Sequence, residues 1–358
     1  MKTDMLFYPT LIKKRYKVYR VESHEHDVYI TNCSKKVLTN CCPSLHPGMD
    51  ESLVAFFKAG NIKVYLIPQG GSLAEVLLRR KFRIDTIIRD MKTGQIVDLF
   101  NGVQDKEDGV LSLIDPKAAI YPENILKGVE VALKLDLIIE KDTLNVFKLN
   151  SSVVSCLPWS IVTEYFLRGF MINPQGVMCI YKEIGILDVL MPGIKDIGLD
   201  ALNFYTQRKD GWLIYLAYLA RIQGANLSHL HLSKRAREFL EGLILCPFPS
   251  MSFEGVRQWM MEYSTYIVHF YTLFEFVTPG ISMELERAIR TYNAYEFMNF
   301  KMPVSNKDIE KIVGKDKDKK IYAKGLMLDA LIKGCVPLNN KVILLEYLKV
   351  LLEEHNQV

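Results

Sequence analysis

Residues 72–105 read SLAEVLLRRKFRIDTIIRDMKTGQIVDLFNGVQD. Ser72 precedes an apolar run of Leu73, Val76 and Leu77, and Glu75 stands three positions on, the local signature of a capped helix start. Arg79, Arg80, Lys81 and Arg83 then crowd positive charge behind the helix. Ile84 to Arg89 and Gln95 to Phe100 carry β-branched and aromatic residues on either side of a Thr93–Gly94 turn, which predicts two strands. Helix, strand, turn and strand in this order predict part of a small α/β unit.

The residues upstream complete that unit. Tyr16 to Val21 (YKVYRV) and Asp27 to Thr31 (DVYIT) alternate with the period of strands, as do Leu53 to Phe57 and Ile62 to Ile67, the last two separated by a Gly60–Asn61 turn. Downstream of Asp115–Pro116 the period lengthens. Ile125, Leu126, Val129, Ala132 and Leu133 share one helical face. Helices are predicted over 159–170, 175–185, 201–221, 233–245, 253–276, 306–313, 322–332 and 341–354, punctuated by Pro192–Gly193, Pro247–Pro249 and Pro279–Gly280. The charge run Lys315 to Lys320 (KDKDKK) reads as a solvated loop.

Composition narrows the class. The 358 residues are 49% hydrophobic and 24% charged, enough to bury a core without staples. A net charge of +4 permits an RNA partner without requiring one, since local patches decide nucleic-acid affinity. Seven cysteines with no C-x-x-C suit reduced thiols in the cytoplasm. The first residues carry no apolar h-region, and no run of ~18 apolar residues occurs, so neither a signal peptide nor a membrane partner is expected.

Residues 72–105 resemble the segment of the class II tRNA nucleotidyltransferase (CCA-adding enzyme) and bacterial poly(A) polymerase family that reads s-l-x-x-D-l-x-R-R-D-F-T-I-N-A, then d-x-x-t-G-x-i-x-D-p-f-G-G-x-x-D. Arg79, Arg80, Phe82, Ile84, Gly94, Asp98, Phe100, Gly102 and Asp105 fall on the pattern, while Lys81, Arg83 and Asp85 replace its acid, Thr and Asn. Residues 52–67, 120–143, 159–194 and 304–348 resemble further family stretches in the same order. The resemblance implies an α/β head with a polymerase-β-like mixed sheet, followed by an elongated all-α neck, body and tail, here 1–110, 111–200, 201–290 and 291–358.

The same resemblance implies where the chemistry should sit. Nucleotidyl transfer with two Mg²⁺ ions needs hard oxygen ligands, presented by two carboxylates on one strand face in D-x-D spacing. Asp27-Val28-Tyr29 aligns with that motif, so Asp27 keeps the first acid and Tyr29 replaces the second with a phenol that ionises near ~10. Lys63 replaces the third acid. The Gly-rich turn that cradles a triphosphate is absent: YKVYRV runs through Glu22-Ser23-His24-Glu25-His26 straight into DVYIT. Glu25-His26-Asp27 is the alternative acid pair. Ile120, Tyr121 and Asn124 stand where the family's E-D-x-x-R reads the incoming base; Tyr121 and Asn124 are a remnant that can stack or hydrogen-bond but lacks the paired donor–acceptor set.

These readings predict a catalytically inactive relative that binds RNA, such as tRNA or another structured RNA, or that serves as a subunit with a protein partner in an RNA-processing or ribosome-associated assembly. Asp27, Tyr29 and Asp85 are vestigial catalytic positions. Lys13, Lys14, Arg15, Arg79, Arg80, Lys81 and Arg83 are the candidate RNA contacts. No cofactor or metal is expected, and Mg²⁺ enters only if the chain is an active CCA- or poly(A)-adding enzyme with relocated carboxylates. A protein-interaction scaffold without RNA is the third reading. The pairs His229/His231 and Cys41-Cys42 with His46 lack the four-ligand spacing of a zinc site.

Overall fold

The computed structural model describes residues 7–22, 27–41, 46–49, 55–59, 62–208, 210–298 and 300–355. The chain divides into two compact units, residues 1–197 with 226–231, and residues 198–225 with 232–358.

The first unit is built on a mixed sheet. Its strands are β1 (Val18–Val21), β2 (Asp27–Thr31), β3 (His46–Met49), β4 (Ala55–Ala59), β5 (Ile62–Leu66), β6 (Ile88–Asp90) and β7 (Ile96–Val97), in the spatial order β3-β4-β5-β2-β1-β6-β7. β2 and β5 are parallel, with Val28 opposite Lys63; all other pairs are antiparallel. Alternation sorts the side chains into two layers. Val18, Tyr29 and Val64 meet Leu11 of helix α1 (Phe7–Lys13) and Leu38 of α2 (Lys35–Cys41). Tyr19, Val21, Val28, Ile30 and Ile88 meet Val76 and Leu77 of α3 (Leu73–Leu78). Ser72 caps α3 as its sequence predicts, accepting from Glu75 N at 3.2 Å.

Two predicted strands are shorter than the sequence suggests. Arg83–Thr86 form a 3-10 turn, in which Thr86 Oγ1 donates to Arg83 O at 2.6 Å, and β6 begins only at Ile88. β7 stops at Val97 because the Asp98 carboxylate turns onto the amides of Phe100, Gly102 and Val103. Those amides open α4 (Gly102–Glu107), and the local side-chain bonds outcompete a sheet ladder. The predicted Gly60–Asn61 turn lies outside the described residues.

Helix α5 (Pro122–Leu135) begins on Pro122 and buries the predicted stripe of Ile125, Leu126, Val129 and Ala132. It packs on α7 (Trp159–Ile172) and α8 (Pro174–Glu183), after α6 (Lys141–Asn150), which the sequence reading omitted. The short strands β8 (Val110–Leu111) and β9 (Ile138–Ile139) pair in parallel, and α9 (Ile186–Leu190) follows.

The second unit is helical: α10 (Leu199–Thr206), α11 (Gly211–Arg221), α12 (Lys234–Leu245), α13 (Phe253–Tyr263), α14 (Ile267–Val277), α15 (Pro279–Thr291), α16 (Asn306–Val313), α17 (Lys317–Ile332) and α18 (Lys341–His355). The single helix predicted over 201–221 is two. Asp210 is left-handed at φ 55°, and a Cβ on Gly211 would lie 1.8 Å from Tyr205 O, so the chain turns sharply there. The helix predicted over 253–276 breaks at Ser264–Tyr266, where serine and threonine favour a 3-10 turn. Conversely, the KDKDKK run is not simply a loop. Asp316 Oδ1 accepts from Asp318 N at 2.8 Å and Lys319 N at 3.2 Å, starting α17 within the charge run.

Candidate functional site

β1 ends where β2 and β6 begin, at one pole of the sheet, which places Glu22, Asp27 and Ile87 side by side; Glu22 N donates to Ile87 O at 2.9 Å. Asp27, the aligned first carboxylate, is not free there. Arg20 Nη2 lies 2.9 Å from Asp27 Oδ1. The cause is register: Arg20 faces Tyr29 across the antiparallel ladder, so its guanidinium reaches Asp27 diagonally on the same face. Arg89, opposite Arg20 on β6, holds Glu22 in turn, with Nε 2.9 Å from Oε1. Two acids and two guanidiniums thus alternate where the resemblance expects a metal and triphosphate site.

Tyr29 sits below this pair, only 6% exposed, and its ring stacks with Tyr8 of α1 at a centroid distance of 6.0 Å. Burial, and secondarily the charge of Asp27, push its phenol above the ordinary value, so it stays protonated at neutral pH. A protonated phenol in an apolar layer cannot serve as a Mg²⁺ ligand.

Lys63 occupies the third acidic position in the aligned sequence, but the structure does not bring it to Asp27. Paired residues of neighbouring strands share a face, so Lys63 projects with Val28, toward the α3 side, while Asp27 projects with Ile62 toward α1 and α2. One face of β1, β2 and β5 offers Arg20, Asp27, Tyr29 and Val64, with Glu22 just past β1, and both of its carboxylates are held by arginines; the other offers Tyr19, Val28, Ile30, Lys63 and Tyr65. No group of three His, Cys, Asp or Glu able to hold a metal ion occurs among the described residues. The described residues at this pole do not fit a pair of Mg²⁺ ions. Glu25 and His26, the alternative acid site with Asp27, lie outside the described residues.

Asp85 lies in the 3-10 turn after α3, beyond the end of that helix. Around it, the matched motif residues hold the fold. Asp98 ties down the start of α4, and a Cβ on Gly102 would stand 2.2 Å from Arg83 O, so only glycine fits. Arg83 Nη1 lies 3.6 Å from Asp105 Oδ1, a carboxylate buried to 5% exposure. Burial raises the Asp105 value despite Ser112 and Arg83 beside it. Arg80 lies over the Tyr65 ring at 5.1 Å. Arg79 is exposed and Lys81 half-buried. Lys13, Lys14 and Arg15 are exposed at the far pole of the sheet, where Arg15 turns the chain with φ 65°.

The two remnant base-reading positions part company. Tyr121 is 65% exposed at the N-terminus of α5, whereas Asn124 is 4% exposed and its amide donates to Ala118 O at 2.7 Å. Asn124 therefore fastens the preceding 3-10 turn. Nearly two turns further along α5, Glu130 is buried and bound by Arg168 of α7 at 3.2 Å, while Tyr165 donates to Glu123 at 3.1 Å. The sequence reading missed this polar seam and the Arg20–Asp27 pair. The strand pairing of YKVYRV with DVYIT was the available signal for the latter.

A cavity of about 230 Å³ opens beside Glu22, lined by Ile84, Ile87, Lys106, Leu135 and Leu137. It is small for a nucleoside triphosphate, whose class of ligand fills pockets of roughly 300–1,000 Å³.

No protein-family model matches the chain. It is 23% identical over 306 residues to the CCA-adding enzyme of Ligilactobacillus salivarius, covering 79% of this chain and 73% of that protein. It is 29% identical over 135 residues to the multifunctional CCA protein of Nitrosomonas europaea, where the match takes in 37% of this chain and only 32% of the relative's length. The fold matches the Bacillus stearothermophilus CCA-adding enzyme crystallised with CTP over 100% of both chains, at TM-score 0.62 and 17% identity. It also matches the Thermotoga maritima CCA-adding enzyme complexed with tRNA at TM-score 0.58 and 12% identity, over 97% of this chain and 94% of that one. The ordered motifs of residues 52–194 and this shared architecture make the chain similar, in sequence and in fold, to the CCA-adding enzymes.

Proposed function

We propose that this protein binds structured RNA, tRNA or a tRNA-like fold, on a nucleotidyltransferase scaffold that does not transfer nucleotides. It acts as an RNA-binding or assembly subunit in RNA processing or in a ribosome-associated complex. The observation that carries this reading is the Arg20–Asp27 pair at 2.9 Å beside the buried Tyr29. An arginine already neutralises the first aligned carboxylate, and the second position offers a protonated phenol. RNA as the partner draws support from the T. maritima relative, whose structure holds tRNA. A reducing, cytoplasmic setting belongs to the same proposal, in keeping with six unpaired cysteines among the described residues.

The test is two assays on one preparation. Filter binding with a tRNA transcript is expected to show salt-sensitive affinity. Incubation of the same tRNA, lacking its 3′ CCA, with Mg²⁺ and labelled CTP and ATP is expected to show no incorporation. The second reading is an active CCA- or poly(A)-adding enzyme, favoured by the 306-residue match to a CCA-adding enzyme. Its carboxylates would be Asp27, Glu25 and Asp85, and incorporation abolished by Asp27→Ala would establish it. Absence of RNA binding at low salt would instead favour a protein-interaction scaffold.

A further inference from the structure

The pole of the sheet away from Glu22 and Asp27 has a different character. There β1 starts, β2 ends and β6 ends: Lys17 N donates to Asn32 Oδ1 at 2.8 Å, Thr31 Oγ1 donates to Lys17 O at 2.8 Å, and Met91 N donates to Val18 O at 2.9 Å. Ile12, Tyr16, Val37 and Met91 pack against the same core of Leu11, Val18 and Leu38. Their chain neighbours Lys13, Lys17, Lys36 and Lys92 therefore ring one small cluster, and Lys14 and Lys35 extend the ring. All six lysines are exposed, and none takes part in an ion pair among the described residues. The adjacent acid, Asp90, turns its carboxylate onto the amides of Lys92 and Thr93 at 2.8 and 3.1 Å.

The second basic group of the sequence is differently placed. Arg83 is paired with buried Asp105, and Arg80 lies over Tyr65, so those cations are engaged within the fold. Among the described residues, a cluster of lysines without ion pairs thus gathers at this pole, at the opposite end of the strands from the charge quartet of Glu22, Arg89, Arg20 and Asp27.

Partner chemistry follows from what surrounds the lysines. Residues 8–41 contribute no exposed large apolar side chain among those described, and on the Lys92 hairpin Ile96 stands alone, too little to insert into a bilayer. Protein interfaces are depleted in lysine and rely on clustered apolar or aromatic anchors, which a single isoleucine beside the ring does not supply. Lysine ammonium groups are point charges suited to phosphate oxygens rather than to planar, bidentate base edges. Resting on the RNA-binding reading above, we propose that this lysine pole is an RNA-backbone contact surface, sequence-independent and separate from the cleft end of the head.

The test is the salt dependence of binding by the full chain, with a tRNA transcript ending in CCA as probe. Kd is measured by filter binding between 50 and 200 mM salt for the native protein and for the Lys13→Gln/Lys14→Gln/Lys35→Gln/Lys36→Gln variant, with thermal melts confirming its fold. Each lost phosphate contact lowers the log–log slope by roughly 0.7–0.9, so a drop of about 3 is expected, with at least tenfold weaker binding at the low-salt end. A native slope retained in a folded variant that still binds tRNA overturns the pole and leaves the RNA reading standing. A native protein that does not bind tRNA at all overturns both. Capture by phosphatidylserine vesicles without tRNA binding overturns the assignment in favour of a membrane. Should the variant not fold, lysine acetylation of the native protein read by mass spectrometry decides: tRNA protecting Lys13, Lys36 and Lys92 while exposed Lys134 stays reactive supports the surface, and equal labelling overturns it.

Discussion

Arg20 of β1 holds Asp27 of β2 across the antiparallel pair at 2.9 Å, so the carboxylate that aligns with the first family acid already faces a guanidinium. Both side chains are partly exposed, 48% and 34%, so the pair itself stabilises the fold little. Arg20→Ala is expected to change unfolding free energy by at most about 1 kcal/mol in denaturant titrations. A larger loss would mean that the pair has a structural role the geometry does not reveal.

Restoring an acid at the second aligned position should fail for a different reason. Tyr29 lies in an apolar layer with Leu11, Leu38 and Val64. Tyr29→Asp would place a second carboxylate, sharing Arg20 with Asp27, and a cavity in that layer, at a cost of ~3 kcal/mol or more. The expected result is a strongly destabilised or insoluble protein. A well-folded Tyr29→Asp variant that gains nucleotide incorporation would show that the site needs only this one change.

Gly102 and Asn124 test which motif positions are structural. Gly102→Ala forces a Cβ into the carbonyl of Arg83 and is expected to cost ~1–3 kcal/mol. Asn124→Ala removes the bond to Ala118 O and is expected to cost about 1–2 kcal/mol, whereas Tyr121→Ala, at an exposed ring, should be neutral within ~0.5 kcal/mol. Chemical denaturation of the three variants checks the order.

How much of this was legible in the sequence depended on range. The Ser72 cap and the apolar stripe of α5 are set by residues three or four apart, and the chain alone displays them. Asp98 and Gly102 were recognisable as matched positions, but their work, tying α4 and approaching Arg83, needs the folded turn. Lys63 shows the limit most plainly. Its place on the face away from Asp27 follows from the parallel register of β2 and β5, strands separated by residues 32–61, which no local pattern specifies. The breaks at Asp210 and Ser264 were hidden because the apolar period continues through them while the backbone does not.

Thiol reactivity gives a check on the second unit. Cys246 is fully buried, and burial pushes its thiol up to about 11 despite nearby Arg221. Its folded-state value is above the ordinary ~8.5, so the stability it contributes is complete below that pH and is lost as pH climbs toward 11. Native alkylation with iodoacetamide at pH 8 is expected to label exposed Cys156 and Cys335 and to spare Cys246. Equal labelling of Cys246 would contradict the packing around it.

The central claim, that the head cannot seat a pair of divalent ions, is tested most directly by Mn²⁺ titration of the native protein followed by electron paramagnetic resonance, with and without CTP. Only weak binding, equal in the native protein and in Asp27→Ala and unaffected by the nucleotide, is predicted. Two bound Mn²⁺ ions per chain in the presence of CTP, lost on Asp27→Ala, would contradict it.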